Sequence, residues 1–304
     1  MAWSEDRLHR WLSGRLRPDV MAGALGDDAA MLRRTSGRTV VCVDQTIEGV
    51  HFDGDLPAGR VGAKAASRAL SDLAATAAKP RALLVALSAP ADTSEAWIRA
   101  VLRAVMTTAA ADGAALVGGD LACAPGPRSL SVTAVGESSA RRPAPGRGRA
   151  RPGQVLLLTG PVGGSLLGRH HRFRARTPEG RWLFERGACS MMDVSDGLAW
   201  DLHRLARASG VCIEVDEVPI HPDARRIARQ DGRSPRWHAL NDGEDHELVA
   251  TVPRPALARI LAEAAERCPT LTVIGRVCEG AGLRIRENDV HRAWRGGGGW
   301  RHGS

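Results

Sequence analysis

The acidic residues of this chain, and the company they keep, say most about what chemistry it can do. Asp27 and Asp28 follow Gly26, Asp44 closes an apolar run, Asp72 follows Ser71 in an Ala-rich stretch, and Asp120 follows Gly118-Gly119. Asp193 and Asp196 bracket Val194-Ser195 ahead of Gly197-Leu198. Several of these acids are flanked by Ala, Gly, Val or Leu instead of Lys or Arg. A carboxylate in apolar surroundings is costly unless a cation or hydrogen-bond donor meets it. Hard dications such as Mg²⁺ suit converging carboxylates, and Mg²⁺ prefers few protein ligands, with water and phosphate oxygens completing its shell.

Taken singly, each acid has a plainer structural role: Asp120 a turn residue, Asp27 or Asp28 a loop acid or cap, Asp196 the N-cap of the helix behind it. Asp72 fits such a role least, because Asp is a poor helix former and a poor core residue. Gly118 and Gly119 admit close backbone approach to a phosphate, and the helix start after Asp196 can face an anion. Neither Gly-x-x-x-x-Gly-Lys-Ser/Thr nor Gly-x-Gly-x-x-Gly after a strand occurs, so the two common nucleotide-binding loops are not supported. His51, in Ile47-Glu48-Gly49-Val50-His51-Phe52, is ambiguous alone. Gly243-Glu244-Asp245-His246-Glu247-Leu248 carries three acids into a strand-like run, with a solvated loop as the plain alternative. His170-His171, among Arg169, Arg172, Arg174 and Arg176, reads most simply as an exposed basic segment.

The elements that must position these residues alternate between short β-branched runs and longer helical patterns. Strands are predicted at 39–43, 83–87, 129–135, 154–159, 191–194, 211–215, 248–252 and 271–277, and helices at 62–78, from 93 to 113 and at 196–209. Residues 141–153 are Pro, Gly and Arg without periodicity, as an exposed connection between domains would be. The reading is an α/β (α+β) chain of two domains, residues 1–140 and 153–304, joined by a linker over 141–152.

Composition fits that picture. The chain has 304 residues, 43% hydrophobic and 25% charged, about twice the ~150 residues expected per domain. Disordered, collagen-like and coiled-coil classes are excluded. No apolar run approaches the roughly 18 residues that a membrane helix needs, so no membrane partner and a cytoplasmic location are expected. Six cysteines, Cys42, Cys123, Cys189, Cys212, Cys268 and Cys278, are scattered without metal-like or disulfide-like spacing. The formal charge of +8 comes almost wholly from Arg, with Lys64 and Lys79 the two lysines. No aromatics interleave the first basic clusters as a nucleic-acid stacking surface requires, so no nucleic-acid partner is expected.

In this order the motifs Leu25-Gly26-Asp27-Asp28-Ala29-Ala30, Asp44 with Glu48-Gly49-Val50-His51-Phe52, Leu70-Ser71-Asp72-Leu73, Gly118-Gly119-Asp120, Asp193-Val194-Ser195-Asp196-Gly197-Leu198 and Gly243-Glu244-Asp245-His246-Glu247-Leu248 resemble the thiamine-monophosphate kinase family. That family lies within the aminoimidazole-ribonucleotide synthetase-like superfamily. The resemblance runs from about residue 20 to 280. It implies a two-domain fold whose N-terminal sheets pair into a barrel in a homodimer, with a C-terminal α/β domain. It also implies ATP-dependent phosphorylation of thiamine monophosphate to thiamine diphosphate with several Mg²⁺ ions. On the matching positions Asp27, Asp28, Asp44, Asp72, Asp120, Asp193 and Asp196 resemble metal ligands. Gly119, Asp120, Arg147 and Ser195 resemble nucleotide contacts, and His51, Glu244 and Trp300 resemble contacts to thiamine monophosphate. No general base is expected, because the acceptor phosphate is already an anion and needs charge neutralisation and alignment.

Five positions depart from the family's usual pattern: Cys42-Val43 replace small hydroxyl residues, Ala69 an Asn, Leu121 a Thr, and His246 a Tyr. Two alternatives stand beside the kinase reading: an ATP-using enzyme of the same superfamily with another substrate, and a nucleotide-binding homologue without turnover.

Overall fold

The strand-like runs 39–43 and 129–135 lie side by side and antiparallel, with Val41 opposite Val135 and Asp44 opposite Val132. The computed structural model describes residues 4–13, 15, 29–296, 298 and 299. It divides into two units, residues 1–73 with 78–142 and residues 74–77 with 143–304. The elements of the first are α1 (Glu5–Ser13), β1 (Arg38–Ile47), α2 (Ala58–Ala75, its last two residues counting with the second unit), β2 (Lys79–Ala89), α3 (Glu95–Ala111), β3 (Ala115–Cys123) and β4 (Ser129–Ser138).

The first unit's sheet has the order β1-β4-β2-β3, with β2 and β3 parallel and the other pairs antiparallel. Strand alternation decides which face is which. Leu130, Val132 and Ala134 of β4 and Val85 and Leu87 of β2 are buried on the face that α2 covers, where the Cys42 thiol reaches the Ala69 carbonyl. The opposite face is open at its β1 edge, where Val41 and Val43 are 61% and 62% exposed, and covered at its β3 edge, where Ala30 and Leu32 pack on Ala82, Ala115 and Val117. Ser94 caps α3 by accepting from the Trp97 N–H and lets Ile98, Val101, Leu102 and Val105 face inward at helical spacing. A side chain at Gly62 would strike the Val101 carbonyl, so α2 and α3 meet backbone to backbone.

Gly118-Gly119-Asp120, which taken alone resembles a turn, lies within β3. Pairing with β2 holds the glycines extended, and Gly119 is pressed so closely on the Val85 carbonyl that any side chain would collide.

The second unit contains β5 (Gln154–Leu158), α4 (Thr177–Glu185), β6 (Ser190–Asp193), α5 (Leu198–Ser209), β7 (Cys212–Val215), α6 (Pro222–Asp231), α7 (Pro235–Asn241), β8 (Leu248–Pro253), α8 (Arg254–Arg267), β9 (Thr272–Cys278), β10 (Gly282–Glu287) and β11 (Val290–Ala293). Its seven strands run β11-β10-β7-β9-β5-β8-β6. Both faces are covered. Leu156, Leu158 and Val249 point into a cluster with Leu198, Leu202 and Leu205 of α5. Leu157, Leu248 and Ala250 point the other way, onto Trp182 and Leu183 of α4 and Ile260 of α8. Near-continuous apolar runs in β5 and β8 are the sequence mark of strands buried on both faces.

Residues 141–153 are less free than their composition predicts. Arg147–Arg149 form a 3₁₀ turn, and the Ser209 hydroxyl both donates to the Arg147 carbonyl at 2.6 Å and accepts from the Ala150 N–H at 3.0 Å. Hydroxyl clamps of this kind need no periodicity, which is why hydropathy patterning does not register them.

Candidate functional site

In the first unit the sequence between β1 and α2 folds into a tight loop. The N–H groups of Val50 and His51 donate to the Ile47 carbonyl, and that of Gly49 to Phe52; Gly49 takes the left-handed conformation this requires, at φ 77°. His51 Nδ1 accepts from the Ile47 N–H at 3.0 Å, so in the neutral ring Nε2 carries the proton. The His51 carbonyl receives the ammonium of Lys64 at 2.6 Å, and Lys64 is 1% exposed. Glu48 anchors the loop through a two-pronged pair with Arg128, Nε–Oε2 2.8 Å and Nη2–Oε1 2.5 Å. Hydrogen bonds from Arg128 hold its carboxyl down to about 2.

Asp44, Asp72 and Cys42 come together where α2 lies on β1. Burial, then the Asp72 and Asp44 carboxylates, push the Cys42 thiol up to about 12. Arg68 Nη2 stands 3.6 Å from Asp44 Oδ1. Asp120 does not join them. Asp44 is in register with Val132 and Val85, whereas Asp120 is in register with Ala86, one residue on, and therefore on the opposite face. With β4 and β2 between, the two backbones are about 14 Å apart. Asp44 and Asp120 do not share an ion in this structure.

In the second unit β6 delivers Asp193, and the next four residues bend into α5. The bend is pinned by Asp201, whose Oδ2 accepts from the N–H groups of Ser195 and Asp196 at 3.0 Å each. Gly197, at φ 115°, is the N-cap and has no side-chain cap; the cap predicted for Asp196 does not form, and its carboxylate pairs with Arg204 instead. Burial, then Asp196 and Asp193, push the Asp201 carboxyl up to about 8. Arg204 pairs with Asp196 and, at 3.3 Å, with Asp201.

The Gly243–Leu248 segment is a buried network, not a solvated loop. The Glu244 and His246 N–H groups donate to the Ser195 and Val194 carbonyls, and both residues are left-handed, at φ 62° and 52°. Asp245, 2% exposed, accepts from the Gly163 N–H and from Arg169 at 2.6 Å. Burial outweighs these donors and pushes its carboxyl up to about 7. Glu247 takes a two-pronged bond from Arg176, at 2.9 and 2.6 Å, and the Thr159 hydroxyl at 2.5 Å. His170 is also drawn in, with Nδ1 3.7 Å from Glu244 Oε2 and its side chain 12% exposed. The basic stretch 169–176 is thus half internal, because buried Asp245 and Glu247 and half-buried Glu244 need its cations; Arg172 and Arg174 remain exposed. Sequence reading places Arg169 and Arg176 in an exposed basic segment and does not single out Asp201 or Arg204. The available signal was the excess of acids at 242–247, which demands cations from elsewhere in the chain.

Arg147 is exposed on its 3₁₀ turn, and its carbonyl is the Ser209 acceptor. An aromatic group that sequence reading also missed joins Trp200 and His203 of α5 to Trp294, with ring centroids 5.3 to 5.7 Å apart. Asp27, Asp28 and Trp300 lie outside the described residues. Among the described residues no group of three or more His, Cys, Asp or Glu side chains is arranged to hold a metal ion.

Comparison with known proteins bears on these motifs directly. Residues 26–138 match the AIR synthase related protein N-terminal domain and residues 179–288 its C-terminal domain. The thiamine-monophosphate kinase of Rhodopirellula baltica is 36% identical over 287 residues, covering 90% of this chain and 89% of that protein. The Mycobacterium tuberculosis enzyme of the same name is 32% identical over 315 residues, covering 96% and 89%. The crystal structure of thiamine-monophosphate kinase from Stenotrophomonas maltophilia K279a superposes with a TM-score of 0.77 at 34% identity, over 94% of this chain and 97% of that one. AaThiL complexed with AMPPCP and TMP does so with a TM-score of 0.78 at 27% identity, over 98% and 95%. The chain belongs to the thiamine-monophosphate kinase family, within the AIR synthase related proteins.

Proposed function

We propose that this chain transfers the terminal phosphoryl group of ATP to thiamine monophosphate, forming thiamine diphosphate, and that it does so in the cytoplasm as a homodimer. The observation that carries the reading is similarity over 90% of this chain to a thiamine-monophosphate kinase at 36% identity; the motif acids, His51 and Glu244 stand in the motifs that resemble that family. AaThiL, an alignable relative, is complexed with AMPPCP and TMP.

Mg²⁺ fits the donors present. Asp44 and Asp72 crowd one another around Cys42, and Asp193 and Asp196 bear on a buried Asp201; a dication relieves such like-charge repulsion. Asp28 with Asp44 and Asp72 would hold metal in the first unit, Asp193 and Asp196 in the second, with Asp27 and Asp120 as further ligands through their motifs. When bound, Mg²⁺ neutralises phosphate charge and stabilises that developing on the transferred group.

The rest is positioning by the chain. Gly119 would meet the nucleotide through its backbone, and the exposed Arg147 is a cation suited to phosphate. Ser195 sits in the bend that Asp201 pins. His51, with its Nε2–H outward, and Glu244 orient the acceptor, and Trp300 offers a ring face to thiamine. Residues 1–140 would form the dimerising half, in which the open sheet face carrying Val41 and Val43 closes into a barrel with a second copy.

One observation favours the reading without turnover: Asp120 and Asp44 face opposite ways across the sheet. ADP release from purified protein with ATP, Mg²⁺ and thiamine monophosphate decides between them. Release dependent on thiamine monophosphate is expected; nucleotide binding without release supports the second reading, and release only with another acceptor reassigns the substrate.

A further inference from the structure

His246 is held on three sides within the second unit. Its ring stacks on Phe173, with centroids 4.0 Å apart and 11° between planes. Nδ1 lies 3.2 Å from Asp193 Oδ2. Nε2 is buried without a hydrogen-bond partner among the described residues and lies 4.0 Å from Glu244 Oε2. The residue is 3% exposed.

Core packing does not explain this arrangement. Leaving a buried ring nitrogen unsatisfied costs about 1–3 kcal/mol, and a left-handed backbone at a non-glycine residue costs about 1 kcal/mol or more. Both costs fall on His246, and the second falls on Glu244 as well. A phenylalanine ring would fill the same space against Phe173 without an orphan nitrogen. What only an imidazole supplies is one polar atom toward each of two carboxylates that come from different segments, the end of β6 and the loop before β8.

We infer that His246 is a positioning residue for phosphoryl transfer, a rigid bridge that sets Glu244, on the acceptor side, by reference to Asp193, on the nucleotide and metal side. The inference rests on the kinase reading above. The stack on Phe173 keeps the ring from yielding, so a small shift of Asp193 when nucleotide binds moves Nε2 against Glu244. Closing the 4.0 Å gap lets a ring with an N–H on each nitrogen donate to both carboxylates, and makes the acceptor site complete only when the nucleotide site is filled. His170, 3.7 Å from the same carboxylate, limits where Glu244 can go. The two sites are thereby coupled, and coupling is reciprocal.

Calorimetric titration of the full chain with thiamine monophosphate, with and without AMPPCP and Mg²⁺, tests this. In the native protein each ligand should raise affinity for the other about tenfold, within the usual range for coupled sites. H246N keeps a polar atom where Nδ1 stood, and Asn tolerates the left-handed backbone; nucleotide affinity should stay within about twofold while thiamine monophosphate binds about tenfold more weakly. H246Q keeps one where Nε2 stood and should show the reverse split. Coupling should fall to near unity in both. Native-size coupling in either variant, equal loss of both affinities, or no coupling in the native protein overturns the bridge. If one variant fails to fold, the split in the other still decides. A native protein that binds neither ligand refutes the kinase reading itself, a separate outcome.

Discussion

The two units treat their sheets differently. The second covers both faces, with Leu156, Leu158 and Val249 buried one way and Leu157, Leu248 and Ala250 the other. The first leaves one face open along β1, with two valines more than half exposed. They treat buried acids differently too. In the second unit Asp245 and Glu247 are met by Arg169 and Arg176 inside the unit, as buried carboxylates require. In the first, the Glu48–Arg128 pair that holds the His51 loop is partly solvent-exposed, its side chains 25% and 17% accessible. The second unit covers its sheet and pairs its buried acids from within, and the first leaves part of its sheet exposed.

The largest expected effect is on chemistry. Asp72→Asn should lower turnover at least about 100-fold with the circular-dichroism spectrum unchanged; near-normal ADP release would remove Asp72 from the metal site. Next comes the open face. Replacing Val41 and Val43 together by Asp should convert a dimer to a monomer in analytical ultracentrifugation, whereas a double variant that stays dimeric would move the interface elsewhere. Third, Arg176→Ala strands a buried Glu247 and should cost about 3–5 kcal/mol of unfolding free energy in urea titration. Arg128→Ala, breaking an exposed pair, should cost about 1 kcal/mol or less. Equal losses would erase the contrast between the units.

The smallest effect is on pH dependence. Burial raises the Asp245 carboxyl from 3.8 to about 7 in the folded chain. The folded state therefore binds this proton more tightly than the unfolded state. Its contribution to stability is complete below about 3.8, the unfolded value, and is lost as pH rises through about 7. Melting temperatures of the native protein, taken relative to Asp245→Asn, should fall between pH 5 and pH 8. A difference that rises over that interval would mean the ion pair with Arg169 outweighs burial.

Much of the fold was legible because alternation and helical spacing report burial directly. Alternation marks the strand around Val132 and helical spacing the helices around Leu70, Val101 and Leu202; the strands around Val41, Leu157 and Val249 are marked by unbroken apolar runs, which do not reveal that Val41 lies on an exposed face. The strand holding Gly118-Gly119-Asp120 was not, since two glycines carry no pattern and its pairing with β2 is non-local. The motif acids were legible as a set, but their facing was not: a register difference of one residue sends Asp120 to the other side of the sheet from Asp44. The buried roles of Arg169, Arg176 and His170 escaped because a run of Arg and His looks solvated until the acids that need it, some 70 residues later, are folded against it.

The left-handed backbone at Glu244 and His246 has a consequence for the history of this chain. Glycine would relax both positions, so selection for heat resistance alone would drift toward Gly at 244 and Gly or Asn at 246. On the roles proposed above, the carboxylate and the imidazole at these sites give up durability for work. Variants recovered from a thermal screen should show it, gaining melting temperature at these two codons while losing catalytic throughput.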